Sequence, residues 1–212
     1  MAHLSLALLG PLQVSLDGAP VTAFESDKVR ALLAYLALEA DRSHRRAALA
    51  GLLWPERPER AAHLSLNQAL ANLRHAIGDR SAPVPVLRIT PETIQWNTAS
   101  DSDLDVAAFN DIIAACDQHP HRHPETCTSC ARSLAQAADL YRGSVLDQFF
   151  LADSATFEEW ALLQRERLHR RALRALAQLA AYHERRGAYD QAQQQAWRLL
   201  ELDPGARPAT GS

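Results

Sequence analysis

The chain of 212 residues has three cysteines, one methionine and no long apolar run. All three cysteines lie between Cys116 and Cys130, so they do not form the even-numbered, dispersed set that is typical of secreted disulfide-rich domains. No apolar segment approaches the roughly 18 residues that are needed to cross a bilayer. The first residues lack a basic segment before the apolar ones and alternate as a strand does, which argues against a signal peptide. We therefore expect a cytoplasmic protein.

The sequence also lacks the short motifs of common catalytic sites. It contains no glycine-rich phosphate loop, no GxSxG nucleophile elbow and no HExxH zinc helix. We therefore do not expect an enzyme. Hydrophobic residues make up 47% of the chain, which is enough for two small domains that each bury a core.

The formal net charge of -3 hides an uneven distribution of charge along the chain. Basic residues outnumber acidic ones between Lys28 and Arg80, and acidic residues prevail after Asn97. A basic footprint confined to one domain suffices for phosphate contacts, and an acidic remainder limits non-specific binding to nucleic acid. The charge pattern thus allows a DNA-binding region in the first half of the chain.

The segment from Arg45 to Gly78 predicts two helices joined by a tight turn. Pro55 and Pro58 exclude one continuous helix, because each lacks a backbone donor and clashes with the preceding turn. The second helix is expected to start near Arg60 and to end at Gly78, a residue suited to a left-handed cap. Its apolar face, which should pack inward, carries Ala62, Leu66, Ala69, Leu70, Leu73 and Ile77.

The opposite face of this helix has amide and hydroxyl groups where a solvated helix would usually have Glu and Lys. Asn and Gln can pair bidentately with adenine in the major groove, and an outward Leu64 can meet a thymine methyl. A solvated or protein-facing helix is the alternative, and this helix alone does not decide between the two. The candidate base-reading residues are Ser65, Asn67, Gln68, Asn72 and His75.

Short strands are predicted on both sides of these helices. Residues 3–24 alternate apolar and polar, which indicates three antiparallel strands with a hairpin at Asp17-Gly18. A first helix should begin near Ser26 or Asp27. The segments VLRIT and TIQWN, after Gly78, predict a second hairpin. Three helices followed by a hairpin is the order of a winged helix, in which the hairpin reaches the DNA backbone or minor groove. The candidate phosphate contacts are Arg45, Arg46, Arg60, Arg74 and Arg88.

The second half of the chain predicts an all-α region. Residues 101–105 look like an acidic hinge, in which Asp103 caps the following helix. A second helix ends at Gly143, residues 144–153 form a connector, and a long helix spans about 154–186. A further helix follows Gly187. The last two helices resemble a tetratricopeptide repeat in the spacing of Leu176, Ala180, Gly187, Tyr189, Ala192 and Pro204.

A cluster of cysteine and histidine separates the first two helices of this second region. The spacing of Cys127 and Cys130 lets both thiolates chelate one ion, and a tetrahedral zinc site needs two further ligands. Three interpretations of the cluster remain open: a structural zinc site, an exposed polar loop and a redox pair of Cys127 and Cys130. A catalytic zinc site is disfavoured because no carboxylate is placed beside the cluster as a base. The candidate ligands are Cys116, His119, His121, His123, Cys127 and Cys130.

Two longer passages carry a family resemblance. Both passages resemble the Streptomyces antibiotic regulatory protein family. The first is ALAGLLWPERPERAAHLSLNQALANLRHAIG, and the second is a later region that begins DLDVAAF and contains LYRGSVLDQFF and FEEWALLQRERL. The resemblance implies an OmpR/PhoB-type winged-helix DNA-binding domain (residues 1–98) followed by a helical, tetratricopeptide-like bacterial transcriptional activation domain (residues 99–212). The family's helical domain generally continues further, which leaves two interpretations of this chain: a shortened family member or a fragment. The Cys/His cluster departs from the family's common pattern.

The resemblance also implies a function. Family members commonly bind direct repeats near promoters, so we expect a sequence-specific transcriptional activator whose two copies, as a homodimer on DNA, occupy such repeats. The turn between the two helices corresponds to a loop that faces RNA polymerase in such regulators. For the Trp54 ring, packing in the core is the alternative. The alternative is a protein-interaction adaptor whose winged helix no longer binds DNA. The residues of this loop are Trp54, Glu56, Arg57 and Glu59.

Overall fold

The structure is a computed structural model that describes residues 3–120 and 123–203. The fold is mainly helical with short strands, as the sequence predicts. The helices are α1 (Asp27–Leu38), α2 (Arg46–Leu53), α3 (Glu59–Ala76), α4 (Asp105–Gln118), α5 (Thr128–Leu140), α6 (Ala155–Arg185) and α7 (Tyr189–Leu202). Within the described ranges, none of the helices combines the length and the apolar character that crossing a membrane requires.

The strands are β1 (Leu4–Ala7), β2 (Gly10–Pro11), β3 (Gln13–Leu16), β4 (Ala19–Pro20), β5 (His44–Arg45), β6 (Leu87–Ile89), β7 (Thr93–Trp96), β8 (Ser102–Leu104) and β9 (Val145–Asp147). The strands β1, β3 and β4 pair antiparallel, as predicted. Asp17 and Gly18, between β3 and β4, have φ values of 53° and 79°. These left-handed conformations are the ones that a tight hairpin turn requires.

The second region adds two strands to the sheets of the first, so the prediction that it is all-α is wrong. β8 pairs parallel with β1, and β9 pairs parallel with β2. The segment predicted to be an acidic hinge is therefore part of a sheet. Asp103 lies in β8 and does not cap α4, whose N-cap is Leu104. The carboxylate of Asp105 accepts hydrogen bonds from the backbone amides of Leu8 at 2.8 Å and Leu9 at 2.9 Å, which fixes α4 against the first region.

Helices α1, α2 and α3 precede a hairpin of β6 and β7, to which β5 adds a third strand in the order β5-β7-β6. The apolar face of α3 is buried as predicted, and Gly78, with a φ of 67°, follows the end of the helix. Ile94 and Trp96 of β7 lie in the same core. This arrangement has the element order that the sequence predicts for residues 4–97.

Polar contacts hold the start of α6 against α1 and α2. The buried ammonium of Lys28 donates to the carbonyl oxygen of Leu53 and lies 2.8 Å from the Asp153 carboxylate. The Ser154 hydroxyl, at the N-cap of α6, donates to the carbonyl oxygen of Leu52 at 2.5 Å. These contacts fix the helical region relative to the helices that precede α3.

A second set of contacts lies further along the same interface. One carboxylate oxygen of Glu39 accepts hydrogen bonds from the Trp160 indole at 2.8 Å and from the Gln164 amide at 2.9 Å. The Tyr35 and Trp160 rings are in contact, with their centroids 4.7 Å apart. The interface thus combines aromatic packing with hydrogen bonds to one half-buried carboxylate.

Helices α4 to α7 form the rest of the second region. α4 packs against α5, and α6 packs against both α5 and α7. Phe109, Phe157 and Leu179 contribute to its core. α7 contributes no fully buried side chain, and its Tyr189 and Trp197 side chains are exposed.

Candidate nucleic-acid interface

The exposed side of α3 is a continuous uncharged stripe. Its members recur at spacings of three and four residues, which places them on one face of the helix. We call this surface the α3 stripe, and it consists of Leu64, Asn67, Gln68, Ala71 and His75. The Leu64 side chain is 58% exposed, a large value for an apolar residue on a helix that otherwise buries its leucines. The stripe offers amide, imidazole and methyl groups without any carboxylate.

Two of the five residues predicted to read bases do not belong to the α3 stripe. Asn72 is buried: its side-chain oxygen accepts from the backbone amide of Glu25 at 3.1 Å, and its amide nitrogen donates to the carbonyl oxygen of Ala23 at 3.3 Å. The prediction that Asn72 faces outward is wrong, because the segment before α1 covers that side of α3.

Ser65 is the second correction. It is also buried, and its hydroxyl donates to the carbonyl oxygen of Ala61 at 2.9 Å and accepts from the Arg57 guanidinium at 2.7 Å. The hydroxyl thus donates one hydrogen bond and accepts another within the protein, and the predicted outward position of Ser65 is wrong as well. Asn67, Gln68 and His75 are exposed as predicted.

Arg46 joins three elements instead of extending freely into solvent. Its guanidinium donates to the side-chain oxygen of Asn67 at 2.5 Å and to the carbonyl oxygen of Thr90 at 3.3 Å. Its backbone amide donates to the carbonyl oxygen of Glu92 at 2.9 Å. These bonds place the start of α2, the α3 stripe and the turn of the β6–β7 hairpin next to one another. In the structure Arg46 positions Asn67, and its phosphate contact stays a prediction.

Arg74 is likewise engaged within the fold. Its Nε donates to a carboxylate oxygen of Asp79 at 2.8 Å, and the other oxygen of Asp79 accepts from the backbone amide of Leu87 at 3.1 Å. Asp79 is completely buried. The Arg74–Asp79 pair therefore connects the end of α3 to the start of β6. The Arg74 side chain is 31% exposed, and its phosphate contact stays a prediction.

The other three candidate phosphate contacts remain exposed. Arg45 lies in β5 opposite Thr93, Arg88 lies in β6 opposite Gln95, and Arg60 lies in the first turn of α3. These arginines come from the strand before α2, from the hairpin and from α3 itself. Because Arg46 bonds to α3 and to the hairpin turn, these elements border the α3 stripe.

The turn between α2 and α3 separates an inward aromatic side chain from outward charged ones. Trp54 is 8% exposed, and the Lys28 ammonium lies 5.9 Å from the centroid of its ring. The ring therefore packs in the core, which was the alternative that the sequence left open. Glu56, Arg57 and Glu59 are exposed.

The predicted metal ligands are only partly brought together. Ligand atoms of His119, Cys127 and Cys130 all lie within 4.8 Å of one another. Cys116 is buried beside them, with its Sγ 3.8 Å from the carbonyl oxygen of Cys130. His123 is exposed, lies 3.4 Å from the Glu125 carboxylate and is not part of this group. His121 lies outside the described residues.

The three thiols of this group have different acidities. The backbone amide of Cys130 donates to Cys127 at 3.5 Å and lowers the pKa of the Cys127 thiol. Burial raises the pKa of Cys130 to about 12 and also raises the pKa of Cys116. Cys127 is the N-cap of α5, and thiolates are favoured at such positions.

Sequence reasoning did not identify three features of this interface. Ala71 belongs to the α3 stripe, and its spacing of three residues from Gln68 could have revealed it. The positioning role of Arg46 depends on contacts with Asn67 and Thr90, which lie far along the chain. The burial of Asp79 depends on how the segment between α3 and β6 packs, for which the sequence contains no local signal.

Comparison with known proteins places the chain in a family. Residues 104–208 match the family described as "Bacterial transcriptional activator domain". The chain is 32% identical over 147 residues to the transcriptional regulatory protein EmbR of Mycobacterium bovis, and equally to EmbR of Mycobacterium tuberculosis. Each match covers 68% of this chain and 37% of the relative. The chain thus spans little more than a third of the length of these curated relatives.

A solved structure has the same fold. It is titled Mycobacterium tuberculosis EmbR in complex with low affinity phosphopeptide. The match covers 97% of this chain and 63% of the EmbR chain, with a TM-score of 0.61 and 23% sequence identity. The family predicted from the sequence is confirmed: this chain belongs to the family whose members carry a bacterial transcriptional activator domain, as its resemblance to the Streptomyces antibiotic regulatory proteins implied.

Proposed function

We propose that this chain is a sequence-specific DNA-binding transcriptional activator that reads promoter repeats with α3 and contacts RNA polymerase. The observation that carries the proposal is the α3 stripe, which is uncharged and which Arg46 connects to the β6–β7 hairpin. Exposed arginines lie on β5, on β6 and in the first turn of α3. Amide and imidazole groups can form hydrogen bonds with base edges, and arginines on the flanks can hold phosphates. The names of the relatives support a regulatory role.

Residues 4–97 would bind DNA as a winged helix. In this arrangement α3 enters the major groove, and the β6–β7 hairpin acts as the wing that reaches the backbone or minor groove. Asn67 presents its amide nitrogen as a donor, because Arg46 occupies its side-chain oxygen. Gln68 is exposed, and its side-chain amide offers an acceptor oxygen and a donor nitrogen, which suits a bidentate pair with adenine. Arg45, Arg60 and Arg88 would fix the register on the phosphates.

The helical region would serve dimerisation or contact with the transcription machinery. Helices α6 and α7 form a tetratricopeptide-like pair, a unit that usually stacks with further helices. The contacts of Lys28, Glu39 and Ser154 hold this region against α1 and α2. Two copies on a direct repeat would therefore present their helical regions in a fixed orientation relative to the DNA.

Promoter binding is the first test of this proposal. Genomic fragments retained by the immobilised protein should share a repeated sequence, and fluorescence anisotropy with one such fragment should show two copies of the protein bound per repeat pair. If each copy makes three arginine–phosphate contacts, a plot of the logarithm of its binding constant against the logarithm of the salt concentration should have a slope of about −3.

The same experiment distinguishes the alternative function. A protein that retains no genomic fragment even at low salt would be an adaptor that uses the helical region to bind other proteins. Binding of all fragments with equal affinity would also contradict sequence-specific recognition, because phosphate contacts alone carry no sequence information.

The proposed polymerase contact predicts a variant that binds DNA but does not activate. Glu56→Ala should leave the affinity for promoter DNA unchanged and lower the transcript yield several-fold in a purified transcription assay, because Glu56 lies on the exposed turn between α2 and α3. Glu184→Ala, which removes another exposed carboxylate from the end of α6, is the matched control and should activate normally. Full activation by Glu56→Ala would exclude Glu56 from the contact.

A further inference from the structure

We propose that the ends of α4 and α5 hold one structural zinc ion, bound by His119, Cys127 and Cys130 with Cys116 as the fourth ligand. The sequence left six candidate ligands and three interpretations open. The structure reduces the set, because it brings together two pairs with the same short spacing. Cys116 and His119 lie at the end of α4, and Cys127 and Cys130 lie at the start of α5.

The distances within the group fit a tetrahedral site. Zinc is bound by cysteine at about 2.3 Å and by histidine at about 2.0–2.1 Å, so two tetrahedral ligand atoms are separated by about 3.5–3.8 Å. The Sγ of Cys127 lies 3.7 Å from Nδ1 of His119. The ligand atoms of His119, Cys127 and Cys130 all lie within 4.8 Å of one another, so zinc binding would require side-chain rotations that shorten the longer of these distances.

Cys116 lies next to the three-residue group without belonging to it, and we assign it as the fourth ligand because its Sγ is 3.8 Å from the carbonyl oxygen of Cys130. Its thiol is buried on the inner side of the group and touches the backbone of Cys130. The arrangement is therefore two-sided, with His119 on the solvent side and Cys116 and Cys130 on the core side. Three cysteines and one histidine are a common donor set of structural zinc sites, which have no open position for a substrate.

The backbone around the site supports bound thiolates. The amide of Cys130 donates to the Sγ of Cys127, and the amide of His119 donates to the carbonyl oxygen of Cys116 at 3.3 Å. Hydrogen bonds of this kind orient metal ligands and stabilise their charge. A metal here would clamp the C-terminal end of α4 to the N-terminal end of α5.

The clamp would also order the contacts made by the intervening segment. Glu125, in the short helix Pro124–Thr126, lies 3.0 Å from the Arg185 guanidinium of α6. Thr128, in the first turn of α5, accepts a hydrogen bond from the Tyr182 hydroxyl at 3.2 Å. Zinc would thus stabilise the edge of the helical region that faces the end of α6.

Metal analysis of the full chain tests the proposal. Protein purified under reducing conditions without chelator should contain one zinc per chain by plasma mass spectrometry. Replacement of zinc by Co²⁺ should give the visible absorption of a tetrahedral, thiolate-bound ion. Cys127→Ser and His119→Ala, which alter the less buried ligands, should each lower the zinc content and the melting temperature, while circular dichroism shows that the helices remain.

Matched variants identify the ligands. His123→Ala should keep the full zinc content, because His123 is exposed and lies apart from the group. Cys116→Ser should lose zinc, and retention of zinc by this variant would overturn the assignment of the fourth ligand. Absence of zinc from the reduced protein, or a Cys127–Cys130 disulfide in its intact mass, would overturn the site itself.

Discussion

Replacement of Gln68 by Ala is expected to weaken binding to the cognate promoter by about 1–3 kcal/mol, roughly 5- to 150-fold, since a bidentate pair with a base would be lost. The affinity for DNA of unrelated sequence should hardly change, because phosphate contacts supply that affinity. Gln68 lies in the middle of the α3 stripe, and its exposed side chain can be removed without opening a cavity. Fluorescence anisotropy with both DNAs measures the two affinities.

Two variants serve as controls for this experiment. Gln136→Ala removes an exposed glutamine from α5, remote from α3, and should leave both affinities unchanged. Asn72→Ala removes a buried amide that holds the backbone at Ala23 and Glu25, so it should lower the stability without changing the preference for the promoter. If Gln68→Ala weakened binding to both DNAs equally, Gln68 would not be a base-reading residue.

The second large effect is expected at the Arg74–Asp79 pair. Arg74→Ala leaves a completely buried carboxylate without its cation, and we expect the free energy of unfolding to fall by about 2–4 kcal/mol. Urea denaturation followed by circular dichroism measures this loss. At a temperature at which both proteins are folded, the affinity for DNA should remain near that of the unaltered chain, because the Nε of Arg74 is engaged by the buried Asp79.

The neighbouring residues make this prediction specific. Arg80→Ala removes an exposed arginine one position after Asp79 and should change the stability by less than about 0.5 kcal/mol. Adding Asp79→Asn to Arg74→Ala should restore part of the loss, since the amide keeps an acceptor for Leu87 but carries no charge. A large loss of DNA affinity in folded Arg74→Ala, with unchanged stability, would show that Arg74 binds phosphate after all.

The helices, the hairpins and the family could be predicted from the sequence because their signals are local. The apolar face of α3 follows from a periodicity of 3.6 residues, and the β3–β4 hairpin follows from the left-handed preference of Asp17-Gly18. The boundaries of α2 and α3 follow from Pro55, Pro58 and Gly78, whose backbone restrictions act within a few residues. The match of residues 104–208 confirmed the family resemblance of the second half of the chain.

The strands β8 and β9 could not be predicted in this way. Each has only three residues, and each is stabilised by pairing with β1 or β2, which lie far away in the sequence. A three-residue segment is too short to show the alternation of apolar and polar residues that distinguishes a strand from a hinge. The carboxylate of Asp105 contributes to this arrangement only because the amides of Leu8 and Leu9 reach it across the sheet.

The residue pattern was enough to identify the helix that could read DNA and the segment in which cysteine and histidine ligands are concentrated. Which members of each set are available depends on tertiary contacts. Asn72 follows Gln68 by four residues, so a helical wheel separates them by only about 40°. The segment at Ala23 and Glu25 covers Asn72 and leaves Gln68 exposed. Packing of α4 against α5 likewise brings His119 to Cys127 and leaves His123 apart. Periodicity fixes the direction of a side chain, whereas its exposure depends on contacts between distant segments.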